Sequence, residues 1–364
     1  MRAVLERVAV DDYRASGESV ESSGREFSAA KVGALVRREG EALERELFGP
    51  EAALRAAQAA PRNPPEWLIL SGDGSRYRSN EADQRKAADG RPARPPATAA
   101  QQGLKPEERD RGWRENKLGV IIRPADRGRE LPDGSYRPPR EQVKTYVATT
   151  GDIQEFGRDM HTESDRRGGG SCPELVWVAD HGHGLPEMQA REFPQAHVIT
   201  DFFHVAERLA DCARIIVGEG ETAQKARRKY WRRLRGKLWD GQVQQVIKLL
   251  TEKAEELAPR PKAAADLPPE SAAHQLWTHV FYLEKHHQTK DYPAYRARGW
   301  PMGSGTMEST CGRFGNRVKH NRMRWTRRNA NALHHIKAAI YSEDQRWDKR
   351  WPPPIPVLEL PLAG

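Results

Sequence analysis

Residues 173–203 read PELVWVADHGHGLPEMQAREFPQAHVITDFF, and the fold turns on how they are parsed. PELVWVAD is a short apolar run that stops on an acid, the pattern of a buried strand. GLPEMQAREF has helical spacing, and QAHVITDFF returns to strand. A strand, a helix and a second strand in so short a span call for a crossover, hence parallel strands.

Working outward, EWLILSGDG (66–74), WRENKLGVIIRP (113–124) and VKTYVATTG (143–151) read as strands. DRGRELPDGSYRPPR, between the second and third, supports a hairpin-like connection. DIQEFGRDMHTESDRRG (152–168) is helical, with Asp152 as its expected N-cap. Beyond His204 nearly everything is helical, interrupted by the Pro-rich APRPKAAADLPPE. Three antiparallel-leaning strands, then helix–strand–helix–strand, then helices is the order of an α/β fold of the RNase H-like kind. Its expected core is a mixed five-stranded sheet with flanking helices, interrupted by an all-helical insertion. The expected divisions are a helical leader (1–63), the first part of the core (64–206, with a flexible insertion at 79–112) and a helical insertion (207–300). The core is then completed at 301–351, and a tail follows at 352–364. Within the leader, two amphipathic helices are expected to break at Gly49-Pro50.

The chain has 364 residues and a net charge of +9. The charge is uneven. Glu221 to Asp240 carries eight Lys or Arg against two acids, and Cys311 to Arg350 eleven against three. The first sixty residues carry nine bases against eleven acids. Contact with a polyanion is therefore sought in the C-terminal half. Cys172, Cys212 and Cys311 lie far apart without finger spacing, which argues against a zinc ribbon or a disulfide framework and suits a reducing cytoplasm. No apolar stretch approaches the length of a membrane span, and the N-terminus has no signal-peptide core.

GWPMGSGTMESTCGRFGNRVKHNRMRW (299–325) places one acid, Glu308, ahead of Arg313, Arg317, Lys319, Arg322 and Arg324. Surface helices usually mix their signs. A lone acid before a basic run fits a cation ligand whose neighbours meet phosphates. Ser304 is the expected N-cap of this helix. Asp73 and Asp180 each end a strand, where α/β sheets place their functional crevice. If those strands are neighbours, three carboxylates are available to Mg²⁺. Two ions ~3.5–4 Å apart would then serve phosphoryl transfer. The plainer readings are turn chemistry for each Asp before a Gly, and a first-turn acid favoured by the helix dipole for Glu308.

The run 299–325, followed by ANALHHIKAAIYSEDQRWDKRW, resembles the signature end of insertion-sequence transposases of the ISKra group, relatives of Mutator-type transposases. The matching pieces are Pro301 to Glu308, Met323-Arg324-Trp325 and Trp347-Asp348-Lys349-Arg350-Trp351. WRENKLGVI, TYVATTGDIQEFG, LVWVAD and FPQAHVITDFFHVAERL follow the same order upstream, so the likeness spans about residues 64 to 351. It implies a DDE-type recombinase that cleaves and joins DNA at element ends. Its carboxylates would be Asp73, Asp180 and Glu308, with two Mg²⁺ (Mn²⁺ substituting). Asp201 and His204 match an Asp-x-x-His signature, assigned a supporting role in bracing the helical insertion. The resemblance also implies double-stranded DNA as partner, a homodimer or higher oligomer on DNA, and a bacterial, nucleoid-associated setting. His181-Gly182-His183-Gly184 departs from the family's usual stretch after the second Asp, and the N-terminus is short for a separate recognition region.

The expected DNA-facing residues are Arg227, Arg228, Arg232 and Arg233, then Arg313, Arg317, Lys319, Arg322, Arg324 and Trp325. For KARRKYWRRLRGK (225–237) a wet amphipathic face serves equally well. Two other functions compete: a catalytically silent DNA-binding protein descended from a transposase, and a zinc hydrolase using the histidine-rich pieces. Against the latter, His286-His287 and His334-His335 are adjacent pairs that diverge on a helix and are expected at the surface.

Overall fold

The computed structural model describes residues 1–10, 28–58, 63–79, 113–180, 182, 184–319 and 323–352. Helices α1 (Arg2–Val8), α2 (Ala29–Phe48) and α3 (Pro50–Gln58) come first, with Gly49 ending α2 where the sequence places the break. Strands β1 (Trp67–Arg78), β2 (Trp113–Pro124) and β3 (Glu141–Thr149) follow, then α4 (Ile153–Arg166) and β4 (Glu174–Ala179). Next come α5 (Leu185–Glu192), β5 (His197–Thr200) and α6 (Phe202–Val217). Asp152 caps α4 as expected, accepting from the amides of Gln154 and Glu155.

The five strands form one mixed sheet in the order β3-β2-β1-β4-β5. Only β2 runs against the others: β1–β2 and β2–β3 are antiparallel, β1–β4 and β4–β5 parallel. The order is consistent with an RNase H-like fold, and it follows from the sequence rhythm. β2 and β3, joined by residues 125–140, pair antiparallel, whereas β4 and β5, separated by α5, run parallel and need a crossover.

After α6 the chain stays helical through α7 (Gln224–Trp239), α8 (Val243–Leu257), α9 (Ala272–Lys285) and α10 (Tyr292–Ala297). It closes with α11 (Gly305–Val318), α12 (Arg327–Tyr341) and α13 (Arg346–Arg350). The two sheet faces bury different partners. Ile69, Leu118, Val120, Val176, Val178 and Ile199 pack with the helices from α6 onward and with Met307 and Phe314 of α11. Leu68, Leu70, Ile121, Val147 and Trp177 pack with Phe156 and Met160 of α4 and Met188 of α5. That is the period-2 alternation of strands buried on both sides.

A third core joins the two ends of the chain. Val4, Leu5, Val32, Val36 and Leu43 meet Leu333, Ile336, Trp325 and Trp347. Here α12 lies between α2 and β3, so it is covered nearly all round. His334 and His335 are consequently buried, at 0% and 1% exposure, which corrects the expectation that they are surface residues. His334 lies near the Phe314 ring, and burial holds its imidazole down at about 3. The α13 end is fastened by a buried acid: Glu163 is fully enclosed and meets Arg166, Arg167 and Arg346.

Candidate functional site

The site is set by strand register. Ser71 pairs with Val178 in the parallel β1–β4 ladder, and the Ser71 hydroxyl donates to the Val178 carbonyl at 2.6 Å. Two residues further on each strand stand Asp73 and Asp180, at the same level and on the same side of the sheet. In the β4–β5 ladder Val178 pairs with Ile199, which brings Asp201 into the same row. Asp180 and Asp201 follow the last residues of β4 and β5, whereas β1 runs on to Arg78 with Asp73 paired to Leu118 of β2, which corrects the expectation that Asp73 ends its strand. All three aspartates lie in one row on the face that α6 and α11 cover.

Their surroundings differ. The Asp73 carboxylate accepts from the Gly74 amide at 2.7 Å and from the Cys311 thiol of α11 at 3.2 Å. Asp180 accepts from the Gly182 amide at 2.9 Å, while Nε2 of His204 stands 4.0 Å from its other oxygen, too far for a hydrogen bond. The Tyr282 hydroxyl, from α9, donates to the Asp180 carbonyl at 3.1 Å, so α9 reaches back to the end of β4. Burial together with the Asp73 charge holds the Cys311 thiol well above its ordinary range, so it stays a neutral donor.

Asp201 is committed to structure. One oxygen accepts from the Phe203 and His204 amides and caps α6. The other accepts from the Ser304 amide at 2.7 Å and the Ser304 hydroxyl at 2.5 Å. Ser304 precedes α11 as expected, but its hydroxyl makes no cap bond within that helix, which corrects that part of the reading. The hydroxyl instead donates to the Asp201 carboxylate, a charge-assisted bond. Gly303 lets the chain pass close here: a Cβ on it would lie 2.5 Å from the Phe203 ring and 3.2 Å from an Asp201 carboxylate oxygen. This clamp fixes where α11 begins.

On α11, Met307, Thr310, Phe314 and Val318 face inward, and Cys311 reaches Asp73 from the edge of that stripe. Glu308 lies one turn before Cys311 on an exposed part of the helix, on the same sheet face as the two aspartates. Among the described residues no group of three or more His, Cys, Asp or Glu is close enough to hold one ion. Beside Cys311 the surface dips into a cavity of about 330 Å³ lined by Gly312, Gly315, Asn316 and Lys319.

The expected DNA-facing residues separate into groups. Arg228, Arg232 and Arg233 of α7 are exposed, whereas Arg227 is half-buried and donates to the Gly218 carbonyl. Tyr230, Trp231 and Trp239 pack partly against the core. Arg313, Lys319 and Arg324 are exposed. Arg317 and Trp325 are not: both are 4% exposed, with the guanidinium 4.7 Å from the indole centroid. Their assignment to a DNA surface is corrected, since position 317 falls on the inward stripe of α11. Arg322 lies outside the described residues, as do His181, His183 and segment 80–112. Sequence reasoning did not single out Cys311, although its place three residues after Glu308 puts it on the same side of the helix.

No family model matches the chain, and no curated protein matches it. Among solved structures, the Drosophila P element transposase strand transfer complex aligns over 91% of this chain and 96% of that one, at TM-score 0.33 and 9% identity. A likeness this weak carries no argument about function. No helix among the described residues is long and apolar enough to cross a membrane.

Proposed function

We propose that this chain is a DDE-type transposase, cleaving and joining DNA by phosphoryl transfer with Asp73, Asp180 and Glu308 as its carboxylates. One observation carries the reading: Asp73 of β1 and Asp180, just past the end of the neighbouring parallel strand β4, stand in one row on one face, and the helix bearing Glu308 is seated on that face through Cys311. The sequence pattern of residues 299–325 supports it independently. Carboxylate oxygens on adjacent strands are the donor set Mg²⁺ takes, with Mn²⁺ substituting. Two ions held there would supply an activated nucleophile and neutralise the leaving oxygen.

The protein's own part is positioning. Asp201 holds the start of α11 through Ser304, and Cys311 holds Asp73. Glu308, exposed as it stands, joins the two aspartates when DNA and ions are present. The exposed bases Arg313, Lys319 and Arg324 then flank the scissile phosphate, and those of α7 meet DNA further out. The buried His334-His335 pair is enclosed in the core and offers no open zinc site.

The test is Mg²⁺- or Mn²⁺-dependent nicking of a duplex carrying an element end. Glu308→Gln should slow cleavage by about a hundredfold or more, roughly 2.7 kcal/mol of transition-state stabilisation. DNA binding should stay intact or tighten, because an acid beside phosphates is lost. Near wild-type cutting by this variant would refute the assignment. Binding without cleavage by the wild type would favour a silent, transposase-derived DNA-binding protein. Cleavage that resists EDTA would exclude the carboxylate mechanism.

A further inference from the structure

We infer that Phe203 is a stacking platform for an unpaired nucleobase beside the reacting strand end, an inference that rests on the DNA-processing reading above. Five large apolar side chains are exposed among the described residues, and Phe203, at 57%, is the aromatic one. A single exposed apolar residue needs no explanation by itself. Its location does. Phe203 sits in the first turn of α6, two residues after Asp201, whose carboxylate fixes Ser304 and so the start of the Glu308 helix.

The ring is held in place. It meets Phe202 edge to face with centroids 5.6 Å apart, and its edge lies against Gly303, where any Cβ would clash. A flat aromatic surface is thus oriented at the lip of the carboxylate row with much of its area open. On the next residue His204 turns toward Asp180, so this first turn of α6 borders the site on two sides. Glu207, one turn on, is exposed, while Arg208 of the same helix and Arg235 are half-buried over the Tyr282 and Phe202 rings, so the exposed charge beside Phe203 on this helix is an acid. A phosphate is therefore the wrong occupant, and a nucleobase is the right one. Every nucleobase has a π-face, and stacking on an aromatic ring tolerates any sequence. A strand end opened for phosphoryl transfer supplies one.

The experiment uses the full chain and a duplex with two unpaired nucleotides at the element end, one of them 2-aminopurine. Wild-type protein should quench that fluorophore, and Phe203→Ala should abolish the quenching and weaken binding roughly five- to a hundredfold. Phe203→Trp should restore both, whereas Phe203→Leu, equally apolar, should not. The side chain is exposed, so each variant should fold, which far-UV dichroism checks. Equal quenching and affinity in wild type and Phe203→Ala would overturn the stacking site while leaving the enzyme reading untouched. Rescue by Leu would overturn it too, by showing plain apolar contact. A wild type that binds no DNA would overturn the underlying reading and this inference with it.

Discussion

In α7, Arg228, Arg232 and Arg233 stand exposed, and none pairs with an acid among the described residues. In the other basic segment, from α11 to Trp325, Arg317 is folded inward against Trp325 while Arg313 leans over the Tyr341 ring at 4.1 Å. The two segments look alike as charge runs. The difference lies in which stripe each base occupies. Along α7 the inward positions are Leu234 and Leu238, and the bases fall elsewhere. Along α11 the inward stripe runs Met307, Thr310, Phe314, then Arg317 and Val318, so one base is drawn into the core. A guanidinium tolerates this where an ammonium would not: it is planar, weakly hydrated and stacks on indole. A run of positive charge thus has two meanings, and helical phase decides between them.

The strongest way to break this comparison is to exchange the roles. Arg317→Ala should lower stability by about 2–4 kcal/mol, seen as a shift in the urea midpoint, because it empties a buried site beside Trp325. The triple change Arg228→Gln, Arg232→Gln and Arg233→Gln should move stability by no more than about 0.5 kcal/mol each. On DNA that triple variant should bind more weakly to all sequences, its salt slope falling by about one for each phosphate it no longer neutralises. Should Arg317→Ala keep its midpoint and lose DNA affinity, the distinction between the two segments would fail.

That same phase argument separates what the sequence made legible from what it hid. The alternation in residues 173–203 announced parallel strands, since apolar runs bounded by turns have few other uses. Gly49-Pro50 marked a helix end because proline cannot continue the helix behind it. The row of Asp73 and Asp180 needed only neighbouring strands and matching parity. Buried histidines were hidden for a different reason. Adjacent residues on a helix point about 100° apart, and both are enclosed only when two partners cover α12. One of those partners, α2, is nearly three hundred residues away, which no local pattern reports. The Ser304–Asp201 clamp was hidden likewise, a contact across 103 residues.

A pH measurement sharpens the picture of α11. Lys337, fully buried in α12, donates to the Arg313 and Phe314 carbonyls, and burial, aided by Arg317 and Arg313, lowers its ammonium to about 7. An unfolded lysine titrates at 10.5, so between pH 7 and 10.5 the unfolded chain binds a proton the folded chain does not. Stability therefore rises with pH across that window. Lys290, lowered to about 7 in the same way, adds a slope of the same sign. Lys337→Met should remove part of the rise, on the order of 1–2 kcal/mol between pH 7 and 9, read from urea midpoints at the two values. An unchanged slope would mean that Lys337 is charged in the folded protein, with α11 resting on a buried cation.

The smallest effect gives the finest discrimination, because each basic helix carries a glycine with open space around it. A Cβ built on Gly236 of α7 or on Gly312 of α11 meets nothing within 4 Å. Within a helix, alanine is favoured over glycine by roughly 0.5–1 kcal/mol, largely through the freedom glycine loses on folding. Both Gly236→Ala and Gly312→Ala should therefore raise the urea midpoint slightly and by similar amounts. Their effects on DNA should diverge. Gly312 lines the cavity beside Cys311, a side chain away from Asp73, where a sugar–phosphate backbone would pass closely if the proposed chemistry occurs there. A methyl group at 312 should then weaken end binding or slow nicking severalfold despite the gain in stability, whereas one at 236 should leave both unchanged. Equal, harmless alanines at the two sites would show that DNA does not approach α11 along Gly312. The bases of α7 would then remain as the surface to test for the approach.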